Sequence, residues 1–247
     1  MMSRIVVDCL GSGAALSKRR RWSSLLLDGR VVLGLPPTAV PELYRLGAAP
    51  AGIERVFISH LHADHYFGLP FLLLPLRLGA SRREPLVVIG PQGIVDATEE
   101  LCRLAWPGIH ERGGLAKLPV RFVEIAREGP GEAGGQPFEA IRTQHFEMLS
   151  FGFRFRHGGR TVAYTGDTGE CDALDRFLDG IDLLMTEFTH TEPCACEDKG
   201  HLCADSIRRL ADQLRPRGVP ILATHMTGEP PPIDGVTMAE DGARYVF

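Results

Sequence analysis

The sequence predicts an α+β fold, with a core of two β-sheets and helices packed outside it. Three observations lead there. Short apolar runs of strand length recur along the 247 residues, bounded by glycine, proline and small polar residues. Stretches with helical spacing of apolar residues fall between those runs and late in each half. Hydrophobic residues make up 44% and charged residues 23%, an ordinary globular balance that excludes a disordered chain or a coiled coil. A chain of this length buries a sizeable core, and one domain spanning residues 1–247 is expected.

The elements follow in order. Residues 4–9 read as a strand, trailed by the turn-rich loop GSGAALSKRRR. Residues 24–28 and 31–33 flank Gly29-Arg30 and predict a β-hairpin. PTAVPELYRLG predicts a short helix with proline near its start and Gly47 ending it. A buried strand at 56–59, a buried helix at 69–78, a strand at 86–90 and a helix at 94–106 come next. Strands are expected at 120–125, 138–143, 151–156 and 161–164, with GPGEAGGQ (129–136) as the most loop-like segment. The runs 183–186 and 220–224 are strand-like. Between them, ADSIRRLADQL (204–214) sets Ile207, Leu210, Ala211 and Leu214 on one helical face.

The net charge of −4 argues against nucleic-acid binding over the whole surface while leaving room for a local basic patch. No segment resembles a signal peptide or a membrane span. A cytoplasmic protein without membrane contact, its six cysteines reduced, is the expectation.

The chemistry concentrates in Ser59-His60-Leu61-His62-Ala63-Asp64-His65-Tyr66, directly after the apolar run Val56-Phe57-Ile58. Imidazole nitrogens and carboxylate oxygens are the ligand set suited to zinc, manganese or iron(II). His60 and His62, two apart, point the same way if the backbone stays extended, so they can share one metal. Asp64 and His65 lie beyond the turn and can reach a second ion. Further ligands are expected at the ends of apolar strands, where His145, Asp167 and His225 stand. Taken singly, these three have ordinary alternatives as a core histidine, a helix N-cap and a surface residue. Their shared placement after strands favours ligation.

At this point the sequence resembles the metallo-β-lactamase superfamily. SHLHADH matches its HxHxDH signature, and later residues resemble the ribonuclease Z-like branch. These are SSLLLD, HFEMLSFGF, the YTGDT turn, Thr186-Glu187-Phe188-Thr189, Gly200-His201-Leu202-Cys203 and the late histidine of THM. The resemblance implies a four-layer αββα sandwich with a dinuclear site at one edge. It implies that His60, His62 and His145 hold one metal, that Asp64, His65 and His225 hold the other, and that Asp167 bridges them. Two divalent ions are implied, zinc first, with manganese or iron(II) as alternatives. Asp64 would orient or deprotonate a water, while His201, oriented by Glu187, would protonate the leaving group. A structural salt bridge is the plain alternative for Glu187 and His201.

The implied activity is a metal-dependent hydrolase acting on phosphodiesters, RNA being one substrate to consider. Lactam hydrolysis fits less well because the Glu187/His201 pair belongs to the phosphodiesterase-like branch. A ribonuclease Z-type tRNA 3′-processing endonuclease is the alternative, and a metal-binding scaffold with weak catalysis is the alternative of another class. The resemblance also allows a homodimer.

The sequence departs from the branch in three places. Gly34 stands where relatives carry an aspartate, the segments flanking Asp167 are too short for a tRNA-gripping arm, and HLC replaces a His-Ser-Thr-like sequence. Lys18-Arg19-Arg20-Arg21 reads either as a phosphate-binding loop or as a solvated charge run. Cys194, Cys196, His201 and Cys203 could hold an extra zinc, but reduced thiols clustered by chance are favoured. His110, His157 and His190 show no partner pattern and are left outside the site.

Overall fold

The run Leu25-Leu26-Leu27 has no polar face, so both sides of its strand must be covered. The computed structural model, which describes residues 4–80, 82–110, 113–192 and 200–247, covers them with different layers. Leu25 and Leu27 join one core cluster and Leu26 another. The same alternation holds in Val31-Val32-Leu33 and in Leu86-Val87-Val88-Ile89.

Along the chain the first half runs β1 (Val6–Gly11), β2 (Ser24–Leu27), β3 (Val31–Leu33), α1 (Ala39–Arg45), β4 (Arg55–Phe57), α2 (Ala63–Tyr66), α3 (Leu69–Arg77), β5 (Leu86–Pro91), α4 (Ile94–Ala105), α5 (Pro107–His110) and β6 (Val120–Ile125). The second half runs β7 (Gly129–Ala133), β8 (Gln136–Arg142), β9 (Phe151–His157), β10 (Arg160–Tyr164), α6 (Ala173–Leu178), β11 (Leu183–Glu187), α7 (Ala204–Leu214), β12 (Ile221–Thr224), β13 (Val236–Met238) and β14 (Arg244–Val246). Among the described residues they form two seven-stranded sheets, ordered β14-β1-β2-β3-β4-β5-β6 and β13-β12-β11-β10-β9-β8-β7.

The sheets face each other across an apolar core that draws residues from both, including Phe57, Phe138, Phe153 and Met185. α1, α3 and α4 cover the outer face of the first sheet, and α6 and α7 cover that of the second. This is the four-layer αββα sandwich. In each sheet one block is parallel, β3 to β6 in the first and β10 to β13 in the second. Strands in a parallel block all end on the same side, which gathers their outgoing loops at one edge.

Three segments differ from expectation. GPGEAGGQ is not a loop: Gly129–Ala133 pairs antiparallel with β8, and only Gly134-Gly135 turn. Both glycines have positive φ (59° and 76°), as a two-residue turn between strands requires. Gly131 lies flat on the Phe138 ring, where a Cβ would come within 2.4 Å. β13 and β14 carry no apolar run and were not foreseen. They close the sheets at their edges, where one face or one ladder is enough.

The basic loop is largely structural. Arg20 donates to Ser12 Oγ, Ala239 O and Glu229, and Arg21 donates to Leu10 O and pairs with Glu42 and Asp241. These contacts tie the first loop to the chain's last segment. Lys18 and Arg19 remain exposed.

Phe57 occupies the middle of the sandwich, stacked on Phe155 at 4.7 Å and 11° and edge-on to Phe138 at 6.0 Å. Phe57→Ala should lower stability by about 3–5 kcal/mol, read as a lower denaturant midpoint with an unchanged slope. A loss below about 1 kcal/mol would mean that the two sheets do not depend on this contact.

Candidate metal centre

Every sequence-derived candidate lies on a segment leaving a strand. His60 and His62 follow β4, and α2 then turns Asp64 and His65 back toward the edge. His145 follows β8, Asp167 follows β10, Glu187 ends β11, His201 precedes α7 and His225 follows β12. The structure brings all nine of these together. His225 holds a left-handed backbone (φ 58°), which is costly outside glycine and turns its side chain into the site.

Three imidazoles converge on one point. His62 Nδ1 is 3.0 Å from both His60 Nε2 and His145 Nε2. Nitrogens on a tetrahedral zinc ion, bonded at about 2.0–2.1 Å, lie about 3.3 Å apart, so this spacing suits one cation. On the other side Asp64 Oδ2 is 3.4 Å from His65 Nε2 and 3.5 Å from His225 Nε2. Between the groups sits Asp167. Its Oδ2 is 3.1 Å from His65 Nε2, 3.2 Å from His225 Nε2, 3.9 Å from His60 Nε2 and 4.0 Å from His145 Nε2.

Outer partners orient the rings. His145 Nδ1 donates to the carbonyl of Gly200 at 2.8 Å, which can only accept, so Nε2 keeps its lone pair toward the site. Ser59 Oγ lies 3.0 Å from His60 Nδ1, and Thr189 Oγ1 lies 2.8 Å from His225 Nδ1. Ser59, Thr189 and Gly200 were not singled out as functional. Each sits beside or within a motif already quoted, and that adjacency is the signal that could have found them.

The electrostatics fit a cation. Burial holds His60 well below its ordinary pKa, as it lowers His62 and His145, so these rings are neutral ligand types. Burial would push Asp167 and Asp64 up, but the facing His225 and His65 outweigh it and hold both carboxyls well below the usual range. Burial alone would depress His65, yet the Asp167 carboxylate beside it raises it to about 10. The two carboxylates thus draw positive charge into the pocket. Among the described residues, the buried Nε2 atoms of His65 and His225 also have no hydrogen-bond partner. Buried ring nitrogens left without a hydrogen-bond partner beside two carboxylates form a donor set that a divalent ion would satisfy.

Glu187 is buried and fully engaged. Its Oε1 accepts from Thr168 N at 2.7 Å and lies 2.9 Å from His201 Nδ1, while Oε2 accepts from the backbone of Thr189 and Leu202. The ring of His201 is 15% exposed beside a carboxylate 1% exposed, so only the histidine reaches the open side. Gly34 has φ 69°, and a Cβ there would lie 3.5 Å from Tyr164 Oη and 4.0 Å from His65 Nδ1. His65 Nδ1 has no partner among the described residues, so the aspartate expected at position 34 is not replaced by another side chain.

His190 lies nearer than foreseen, its ring 5.8 Å from that of His201. His157 is remote and pairs with Asp28. Cys203 takes part in a disulfide, so it is not the reduced thiol expected, while Cys9, Cys102 and Cys171 are free. Cys194 and Cys196 lie outside the described residues.

Residues 4–226 match the family described as the beta-lactamase superfamily domain. Ribonuclease BN of Escherichia coli O7:K1 is 28% identical, over 75% of this chain and 74% of that protein. The short form of human tRNase Z has a similar structure, with a TM-score of 0.75 and 23% identity over 97% of this chain and 98% of that one. A diphosphatase of the PhnP family is also similar, at a TM-score of 0.72 and 20% identity over 98% of each chain.

Thr189 contacts both His225 and His201 through one hydroxyl, at 2.8 and 3.2 Å. Thr189→Val keeps the shape and removes the hydroxyl. It should weaken Zn2+ binding by about 10–100-fold, measured by competition with a chromophoric chelator. An unchanged affinity would show that the hydroxyl does not orient a ligand.

Proposed function

The chain belongs to the metallo-β-lactamase superfamily, in its ribonuclease Z-like branch, and on that premise we propose that it is a metal-dependent phosphodiesterase. The fold and the relatives support a metal-dependent hydrolase. Action on phosphodiesters is supported by one feature of the site. A buried Glu187 holds His201 by Nδ1 at 2.9 Å, at the open side of two adjoining ligand clusters.

His60, His62 and His145 would hold one divalent ion, Asp64, His65 and His225 a second, and Asp167 both. Bound there, two such ions would supply Lewis acidity, lowering the pKa of a water toward about 7 and neutralising phosphate charge. The protein's own groups do the rest. Asp64, kept ionised by the histidines facing it, accepts a hydrogen bond from the attacking water and orients it. His201 donates Nδ1–H to Glu187, which leaves Nε2 to carry a proton to the departing oxygen. Glu187 itself is held in place by three backbone N–H donors.

A second reading, cleavage of tRNA precursors at the 3′ side, is favoured by the names of the relatives, ribonuclease BN and tRNase Z. Against it, the chain between His145 and Asp167 is spent on the β9–β10 hairpin, and that between Asp167 and Glu187 on α6 and β11. Neither span has residues to spare for a projecting arm. Metal-loaded protein should hydrolyse bis(p-nitrophenyl) phosphate. Cleavage of a tRNA precursor without turnover of the small diester would favour the processing enzyme. Two bound metals with no turnover of either would favour a scaffold.

Protein purified without chelator and reconstituted should contain two transition-metal ions, and Asp167→Ala should lose both or nearly both. Elemental analysis finding one ion in the parent protein would sink the dinuclear arrangement.

His201→Ala should keep both ions and lower turnover by about 10²–10⁴-fold. The loss should shrink for a p-nitrophenolate leaving group, which departs with little protonation. A variant that loses metal instead would make His201 a ligand, and a group of Glu187, His201 and His225 within 4.8 Å offers that outcome a concrete home.

A further inference from the structure

Phe146 follows His145 directly and adopts a backbone that aromatic residues rarely take, φ 45°. It is also 52% exposed, whereas Phe57, Phe151, Phe153, Phe177 and Phe188 are fully buried. A strained backbone under a solvent-facing apolar ring is unfavourable on both counts, and no packing requirement of the core explains it. The surroundings hold the ring in place. A Cβ at Gly200 would come within 2.4 Å of it, so the ring lies on bare backbone. The same Gly200 accepts from His145 Nδ1 at 2.8 Å. The ring centroid is 5.0 Å from that of His145 and 5.7 Å from that of His201. Phe146 thus stands fixed at the lip of the centre, beside the proposed proton donor.

Beyond the ring opens a cavity of about 640 Å³, lined in part by Arg127, Glu128, Arg142, Gln144, Asp172 and Arg176. Its size suits one nucleotide. Arg176 is paired with Glu128 at 2.8 Å and Arg142 donates to Met148 O, so both guanidinium groups are held in place. Three guanidinium groups against two carboxylates leave the cavity positive.

We propose that Phe146 is a stacking platform for a nucleobase next to the scissile phosphodiester, with the arginine-lined cavity taking the adjoining phosphate. This makes the substrate a nucleotide diester or an RNA end, and it rests on the phosphodiesterase reading. Stacking on an aromatic face accepts any base, so the site selects nucleotides without selecting sequence.

The test separates the two readings. Thymidine 5′-(p-nitrophenyl phosphate) and methyl p-nitrophenyl phosphate share a leaving group and differ in the base. In Phe146→Ala, kcat/KM for the nucleoside diester should fall about tenfold, mainly through KM, and by at least five times more than for the methyl diester. Phe146→Tyr should restore the ratio. Independently of turnover, the fluorescence of 2-aminopurine riboside 5′-monophosphate should be quenched by the parent protein and by Phe146→Tyr, and not by Phe146→Ala. Equal losses for both diesters, or quenching that survives in Phe146→Ala, would overturn the platform. If the metal-loaded parent turns over neither diester, the phosphodiesterase reading fails, while the quenching experiment still decides whether Phe146 stacks on a base.

Discussion

Asp167 is a carboxylate 3% exposed at the junction of two sheets, and much of the edge is arranged around it. An isolated buried charge costs many kcal/mol, so it persists only where compensating groups are supplied. Here one oxygen has four imidazole nitrogens within 4.0 Å, drawn from loops of both sheets. The sandwich makes this possible because the parallel blocks of both sheets discharge their loops at one edge. The two carboxylates, Asp64 and Asp167, keep anionic charge at a buried point among imidazoles, an environment that would suit a divalent cation.

Around that centre a shell of hydrogen bonds orients the rings, and the Gly200 carbonyl, which can only accept, fixes the tautomer of His145. The carbonyl of Gly200 and the hydroxyls of Ser59 and Thr189 occupy the Nδ1 side of His145, His60 and His225. His65 lacks such a partner among the described residues, its Nδ1 left facing the space beside Gly34. Gly200 serves twice, through its carbonyl to His145 and through its missing Cβ to Phe146. Backbone strain gathers here as well: His225 and Phe146, both with positive φ, stand beside the cluster. A protein tolerates such conformations where surrounding contacts over-determine them.

The layering was legible because strands covered on both faces are apolar throughout, and short runs such as Leu25-Leu26-Leu27, bounded by turn residues, fit that arrangement. The residues that converge at the sheet edge could be picked out because metal chemistry depends on residue type and most of the candidates follow apolar runs. GPGEAGGQ misled for a physical reason. Its glycines satisfy a two-residue turn and a flat contact on Phe138, and an edge strand needs no apolar alternation to pair. β13 and β14 escaped notice on the same ground. Lys18 to Arg21 read as a phosphate loop or a solvated run, whereas Arg20 and Arg21 serve as ties to Glu229, Glu42 and Asp241.

By itself, then, the sequence determined the layers, the cluster of candidate site residues and the family signature, since each is carried by residue identity within a few positions. Tertiary structure alone decided which nitrogen of each histidine faces the centre, that Glu187 grips His201, that two arginines are structural, and that Phe146 stands exposed on Gly200. Those contacts join residues dozens of positions apart, such as His145 with Gly200 and Thr189 with His225. Their distances follow from how the two sheets pack, and no local pattern of residues encodes that packing.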